Sequence, residues 1–67
     1  MTVKFVFHLK SGKTFECIEE ELSQEDFASL VNVAIASMKD GVSGVLVLTG
    51  CCVRLSECAV VEWEVLR

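Results

Sequence analysis

Proline is absent from this chain, histidine and tryptophan occur once each, and glycine occurs only four times. Without proline, and with no repeat or low-complexity tract, nothing in the sequence reads as a linker, so residues 1–67 are expected to form a single domain. Gly41, Gly44 and Gly50 fit no GxGxxG or Walker pattern, so the sequence offers no phosphate-cradling loop. There is no CxxC pair, and His8 is the sole histidine. A zinc site would need an atypical set drawn from Cys17, Cys51, Cys52, Cys58 and His8. No apolar run approaches the ~18 residues of a membrane span. The opening segment alternates and carries Lys4, His8 and Lys10 where a signal peptide would be apolar. The expected setting is therefore the cytoplasm, away from membranes, where Cys17, Cys51, Cys52 and Cys58 serve as small apolar side chains rather than as a disulfide framework.

Charge is also missing in one particular place. From Phe27 through Met38 there is no Asp, Glu, Lys or Arg, and this run lies inside the one segment that reads as a helix, Ser23 to Met38. Ser23 is placed to cap the first turn, with Asp26 three residues on as a carboxylate version of the capping box. Glu25 and Asp26 suit the positive end of the helix dipole, Lys39 the negative end, and Gly41 the left-handed position that ends a helix. At roughly 100° per residue, Phe27, Leu30, Val31, Ala34 and Met38 share one stripe, which must face a core. The opposite side offers small neutral residues, among them Ser29, Asn32 and Ala36. A surface helix normally carries a charged outer face, so this one is expected to be covered by something.

What is plentiful is apolar surface. The hydrophobic fraction is 52% and the mean hydropathy +0.52, whereas a chain this short buries only about 60% of the surface its unfolded form exposes. The formal charge of −4 argues against nucleic acid or an anionic membrane as partner, since both call for basic patches. The acidic residues gather before the helix. They read as a solvated connection, or alternatively as a face, made by Glu19, Glu20, Glu21 and Glu25, that docks a basic protein.

Around the helix the chain alternates as strands do. In Thr2 to Lys10, Val3, Phe5, Phe7 and Leu9 share one face. A turn at Lys10, Ser11 and Gly12 would set Phe7 opposite Phe15, Phe5 opposite Cys17, His8 opposite Thr14 and Val6 opposite Glu16, with Lys4 diagonal to Glu16. After the helix the chain returns through Gly41 to Gly44 into Val45 to Thr49, a strand apolar on both faces and hence expected in the interior. Cys51 to Leu55 makes a fourth strand, Ser56 to Cys58 a kink, and Ala59 to Leu66 a last strand with Ala59, Val61, Trp63 and Val65 inward. The order is β-β-α-β-β-β, an α+β fold with a mostly antiparallel sheet and the helix across one face.

Chemistry-bearing residues are few. His8 reads as a surface residue on the outward face. Cys52 shares a side with Arg54, so a thiol-redox role at Cys51-Cys52 is the minor alternative, and Glu62 with Glu64 reads as a solvated edge. Lys4, His8, Lys10 and Lys13 are too few and too offset by glutamates for a nucleic-acid site. The two ends, V-K-F-x-F-x-L-K-S-G-K and L-S-E-x-A-x-V-E-W-E-V, resemble small proteins of unknown function encoded by phages and prophages of Gram-positive bacteria. The resemblance implies a cytoplasmic, often oligomeric protein without assigned catalytic residues. The expectation is a non-enzymatic, self-associating interaction module with no cofactor. Its contact between copies would be formed by Ser29, Asn32, Val33 and Ala36 on the helix and Leu46 and Leu48 on the third strand.

Overall fold

A tight turn at Lys10 to Gly12 fixes the register of the first hairpin. In the computed structural model, which describes residues 1–41 and 44–67, Gly12 lies at φ +95° and donates its N–H to the Leu9 carbonyl at 2.9 Å. A side chain would strain that left-handed position, so glycine suits it. Strand β1 (Val3–Leu9) then runs antiparallel to β2 (Thr14–Glu19), with Phe5 opposite Cys17, Phe7 opposite Phe15 and His8 opposite Thr14, as the spacing predicts.

Helix α1 (Gln24–Asp40) begins where its cap dictates, the Ser23 hydroxyl accepting the Asp26 N–H at 3.0 Å, and ends on Gly41 at φ +70°. The middle of the expected return from Gly41 to Gly44, Val42 and Ser43, lies outside the described residues. Then come β3 (Val45–Leu48), β4 (Cys51–Arg54), a short 3-10 turn (Leu55–Glu57) and β5 (Cys58–Val65). The described residues thus form an α+β fold of antiparallel strands and one helix in the order β-β-α-β-β-β. The strands divide between two sheets, one ordered β2-β1-β5 and the other the separate hairpin β3-β4.

The core lies among these pieces. Val3, Phe5 and Phe7 are fully buried on one face of β1, and the Phe7 ring stacks on Phe15 with centroids 5.0 Å apart. Phe27 brings α1 to the same cluster, 6.5 Å from the Phe5 ring, and Ala34 is buried further along the helix. The hairpin contributes Leu46, Leu48 and Val53, and Leu55 closes the end. Each such large side chain stabilises the fold by about 1.5–3 kcal/mol on burial.

Strand β5 departs from simple alternation at its start. The register shifts between His8 and Leu9, so Cys58 pairs with Leu9 and Val60 with His8, leaving Ala59 as the extra residue of a bulge. Cys58 therefore takes the inward place that alternation assigns to Ala59, which is exposed. Trp63 does sit on the same face as its partner Phe5, yet it remains 41% exposed, because β5 is an outer strand.

Candidate functional site

Strand β3 presents two unlike faces. Leu46 and Leu48 point into the core, at 2% and 6% exposure, while Val45 and Val47 point outward at 52% and 73%. The expectation that Leu46 and Leu48 meet another copy is therefore corrected: alternation along a strand turns them to their own core, and Val45 and Val47 occupy the outer face. Nor is β3 interior, since it pairs only with β4 and its other edge is open among the described residues. An open edge leaves every second N–H and C=O without a ladder partner, which makes it a template for another strand.

Beside that edge runs a groove of about 590 Å³ between β3 and the N-terminal half of α1, with Leu22, Ser29, Leu30 and Val33 on the helical side. Ser29, Asn32 and Val33 are exposed in the single chain, Val33 to 40%. Ala36 is half-buried, so it belongs to this face less fully than its neighbours. Charge differs between the two ends of β3. Near Thr49 it has Asp26 on its wall, with Glu20, Glu21 and Glu25 exposed close by in sequence. At the Val45 end Arg54 stands directly across the hairpin.

Glu19 does not belong to an exposed acidic face. It is 8% exposed, and its carboxylate accepts both the Thr49 N–H and, at 3.0 Å, the Thr49 hydroxyl. A buried carboxylate holding two donors is a structural tie between β2 and the turn after β3. The signal was present in the sequence, because Glu19 continues the alternation of Phe15 and Cys17 on the inward face.

The same tie brings two thiols together. Cys51 Sγ lies 3.1 Å from Cys17 Sγ, across 34 residues of sequence, and Cys17 Sγ is 3.6 Å from the Thr49 carbonyl. Burial first, then the hydrogen bond to Cys17 and the nearby charges of Cys17, Glu19 and Cys52, push the Cys51 thiol up to about 11. Burial also raises the Cys58 thiol, with Glu57 adding to the effect and Lys10 opposing it. Cys52 is exposed with Arg54 on the other side of the hairpin, so Cys51 and Cys52 point apart. Neighbouring cysteines drew attention in the sequence, whereas the Cys17–Cys51 approach depends on how the hairpin docks on β2, and no spacing encodes that.

On the opposite, solvated face of the larger sheet, His8 Nε2 lies 3.1 Å from Glu62 and its Nδ1 lies 3.3 Å from the Thr14 hydroxyl. Lys4 sits diagonal to Glu16, as the spacing predicts, and forms its ion pair with Glu64 of β5 at 3.5 Å. The edge carboxylates Glu62 and Glu64 thus each meet a cross-strand side chain, His8 and Lys4 respectively.

No family model, curated protein or solved structure matches this chain. Among the described residues no group of three or more His, Cys, Asp or Glu side chains is placed to hold a metal ion, and no helix is long and apolar enough to cross a membrane.

Proposed function

We propose that this chain is a non-enzymatic, self-associating interaction module, and that the face formed by α1 and β3 seats a second copy of itself. The observation that carries the reading is the outer side of β3, where Val45 and Val47 stand 52% and 73% exposed on a strand with an open edge. Aliphatic side chains so placed favour burial by about 25 cal/mol per Å² of apolar area removed from water, and an open edge supplies backbone partners for a neighbouring strand.

The unlike charges near the two ends of β3 support a second copy as the occupant. In a two-fold arrangement with β3 antiparallel to its equivalent, the acidic end of one copy, at Asp26 and Glu25, lies against the Arg54 end of the other. The resemblance of the chain ends to small phage-encoded proteins belongs to the same reading, and supplies its proposed origin and cytoplasmic setting. The alternative is docking of a basic protein. It rests on Glu20, Glu21 and Glu25, which are exposed and have no ion-pair partner among the described residues. Glu19 no longer contributes to it.

Light scattering on a sizing column tests the proposal. Wild-type protein at micromolar concentration is expected to elute as a dimer or larger, and Val47→Lys or Val33→Glu to elute as a folded monomer. An oligomer that survives both substitutions would overturn the assignment of this face. A charge at Ala36 is a poorer probe, because that residue is half-buried and its replacement perturbs the fold as well.

A further inference from the structure

The contacts between β2 and the turn after β3 converge on one small region. The Glu19 carboxylate holds the Thr49 backbone and hydroxyl, Cys17 Sγ touches the Thr49 carbonyl, and Cys51 Sγ approaches Cys17 Sγ to 3.1 Å. That separation is shorter than ordinary contact between two sulfurs, and the two segments that carry them are already held together by Glu19. Both thiols are half-buried, so a small reagent can reach them. Cys58 is 3% exposed and Cys52 faces away from the pair.

We propose that Cys17 and Cys51 form a reversible dithiol–disulfide site that clasps the β3–β4 hairpin to the larger sheet, with a low-molecular-weight disulfide as oxidant. This stands apart from the self-association reading, since neither sulfur lies on the outer face of β3. In the first step the Cys17 thiolate attacks one sulfur of the oxidant, RSSR. Its S–S bond breaks, one thiolate RS⁻ leaves, and a Cys17–S–S–R mixed disulfide forms. In the second step Cys51 loses its proton to solvent and attacks the Cys17 sulfur, which forms the Cys17–Cys51 bond and expels the second RS⁻. The released thiolates take up the two protons. The two cysteines together lose two electrons, and the oxidant becomes two thiols. Burial and the neighbours Cys17, Glu19 and Cys52 keep the proton on Cys51, so closure quickens as pH rises.

The test uses the full chain carrying Cys52→Ser, so that the exposed third thiol does not compete. Reduced protein is incubated with oxidised glutathione, quenched in acid and examined by intact mass and peptide mapping. The expected product is a single chain, not disulfide-linked to another, lighter by two hydrogens, with the link between Cys17 and Cys51 and both thiols restored by dithiothreitol. The oxidised chain is also expected to unfold at higher denaturant concentration, read on the fluorescence of Trp63. A glutathione adduct on Cys17 that never resolves, or a link that involves Cys58, would overturn the proposal. So would an oxidised chain no more resistant to denaturant than the reduced one. Cys17→Ser is expected to abolish the link. The map in the Cys52→Ser chain decides the matter even if Cys17→Ser fails to fold.

Discussion

Glu19 carries more of the fold than its neighbours Glu20 and Glu21, and the difference lies in which way a strand turns each side chain. Its two oxygens accept the N–H and the hydroxyl of Thr49, so truncation removes two hydrogen bonds to a buried carboxylate that tie β2 to the turn after β3. Glu19→Ala is expected to destabilise the domain by about 1–3 kcal/mol in urea unfolding, while Glu20→Ala stays within about 0.5 kcal/mol. Glu21 is a different case, with a left-handed backbone at φ +57° between β2 and the cap of α1. Asparagine tolerates that region and a β-branched residue does not, so Glu21→Asn should hold or raise the melting temperature and Glu21→Val should lower it. The thiols give a pH dependence with a definite sign. The folded-state pKa of Cys51 is raised from 9.0 to about 11, so the native chain keeps a proton that the unfolded chain gives up. The corresponding stability is present below about pH 9 and is lost as pH climbs toward 11, and the Cys58 shift acts in the same direction. Replacing Cys51 by Ser should flatten the alkaline limb of a stability-versus-pH curve measured by chemical unfolding.

At the scale of elements, what the sequence made legible is what short-range rules control. The glycine turn after β1 dictated the hairpin register, and Ser23 and Gly41 marked the ends of α1 within two residues. The hydrophobic stripe pointed Phe27, Leu30 and Ala34 at the core. Met38, on the same stripe, is nevertheless 41% exposed, because the outer strand β5 does not close over that end of the helix. Strand partition was not legible: an apolar run such as Val45 to Leu48 has the same pattern in the middle of a sheet as in a hairpin with a bare outer face. The bulge at Ala59 was hidden for a related reason, since one extra residue shifts which side chains face inward without altering composition. Core truncation separates central from marginal packing. Phe5→Ala should cost about 3–5 kcal/mol and unfold so small a domain, and Leu30→Ala, which is only half-buried, should fall nearer 2 kcal/mol, both measurable by circular dichroism.

For the whole molecule the governing fact is the mismatch between apolar content and the surface a chain of this length can cover. Val45, Val47 and Val33 lie on one side of α1, and Ile35, Met38 and Trp63 line a second cleft of about 290 Å³ on the other. In the proposed self-association, the exposed aliphatic and aromatic side chains gathered beside an open strand edge are the contact sites. Aggregation and specific pairing compete at such a face, and in the proposed dimer the unlike charges near the two ends of β3 would favour one defined arrangement over random association. Sedimentation equilibrium of the reduced wild-type chain across a range of micromolar concentrations is the most direct measurement. A single well-defined species at a multiple of 7.4 kDa, dissociating on dilution, is the expected result. A mass of 7.4 kDa at every concentration, with Val45 and Val47 left in water, would contradict it.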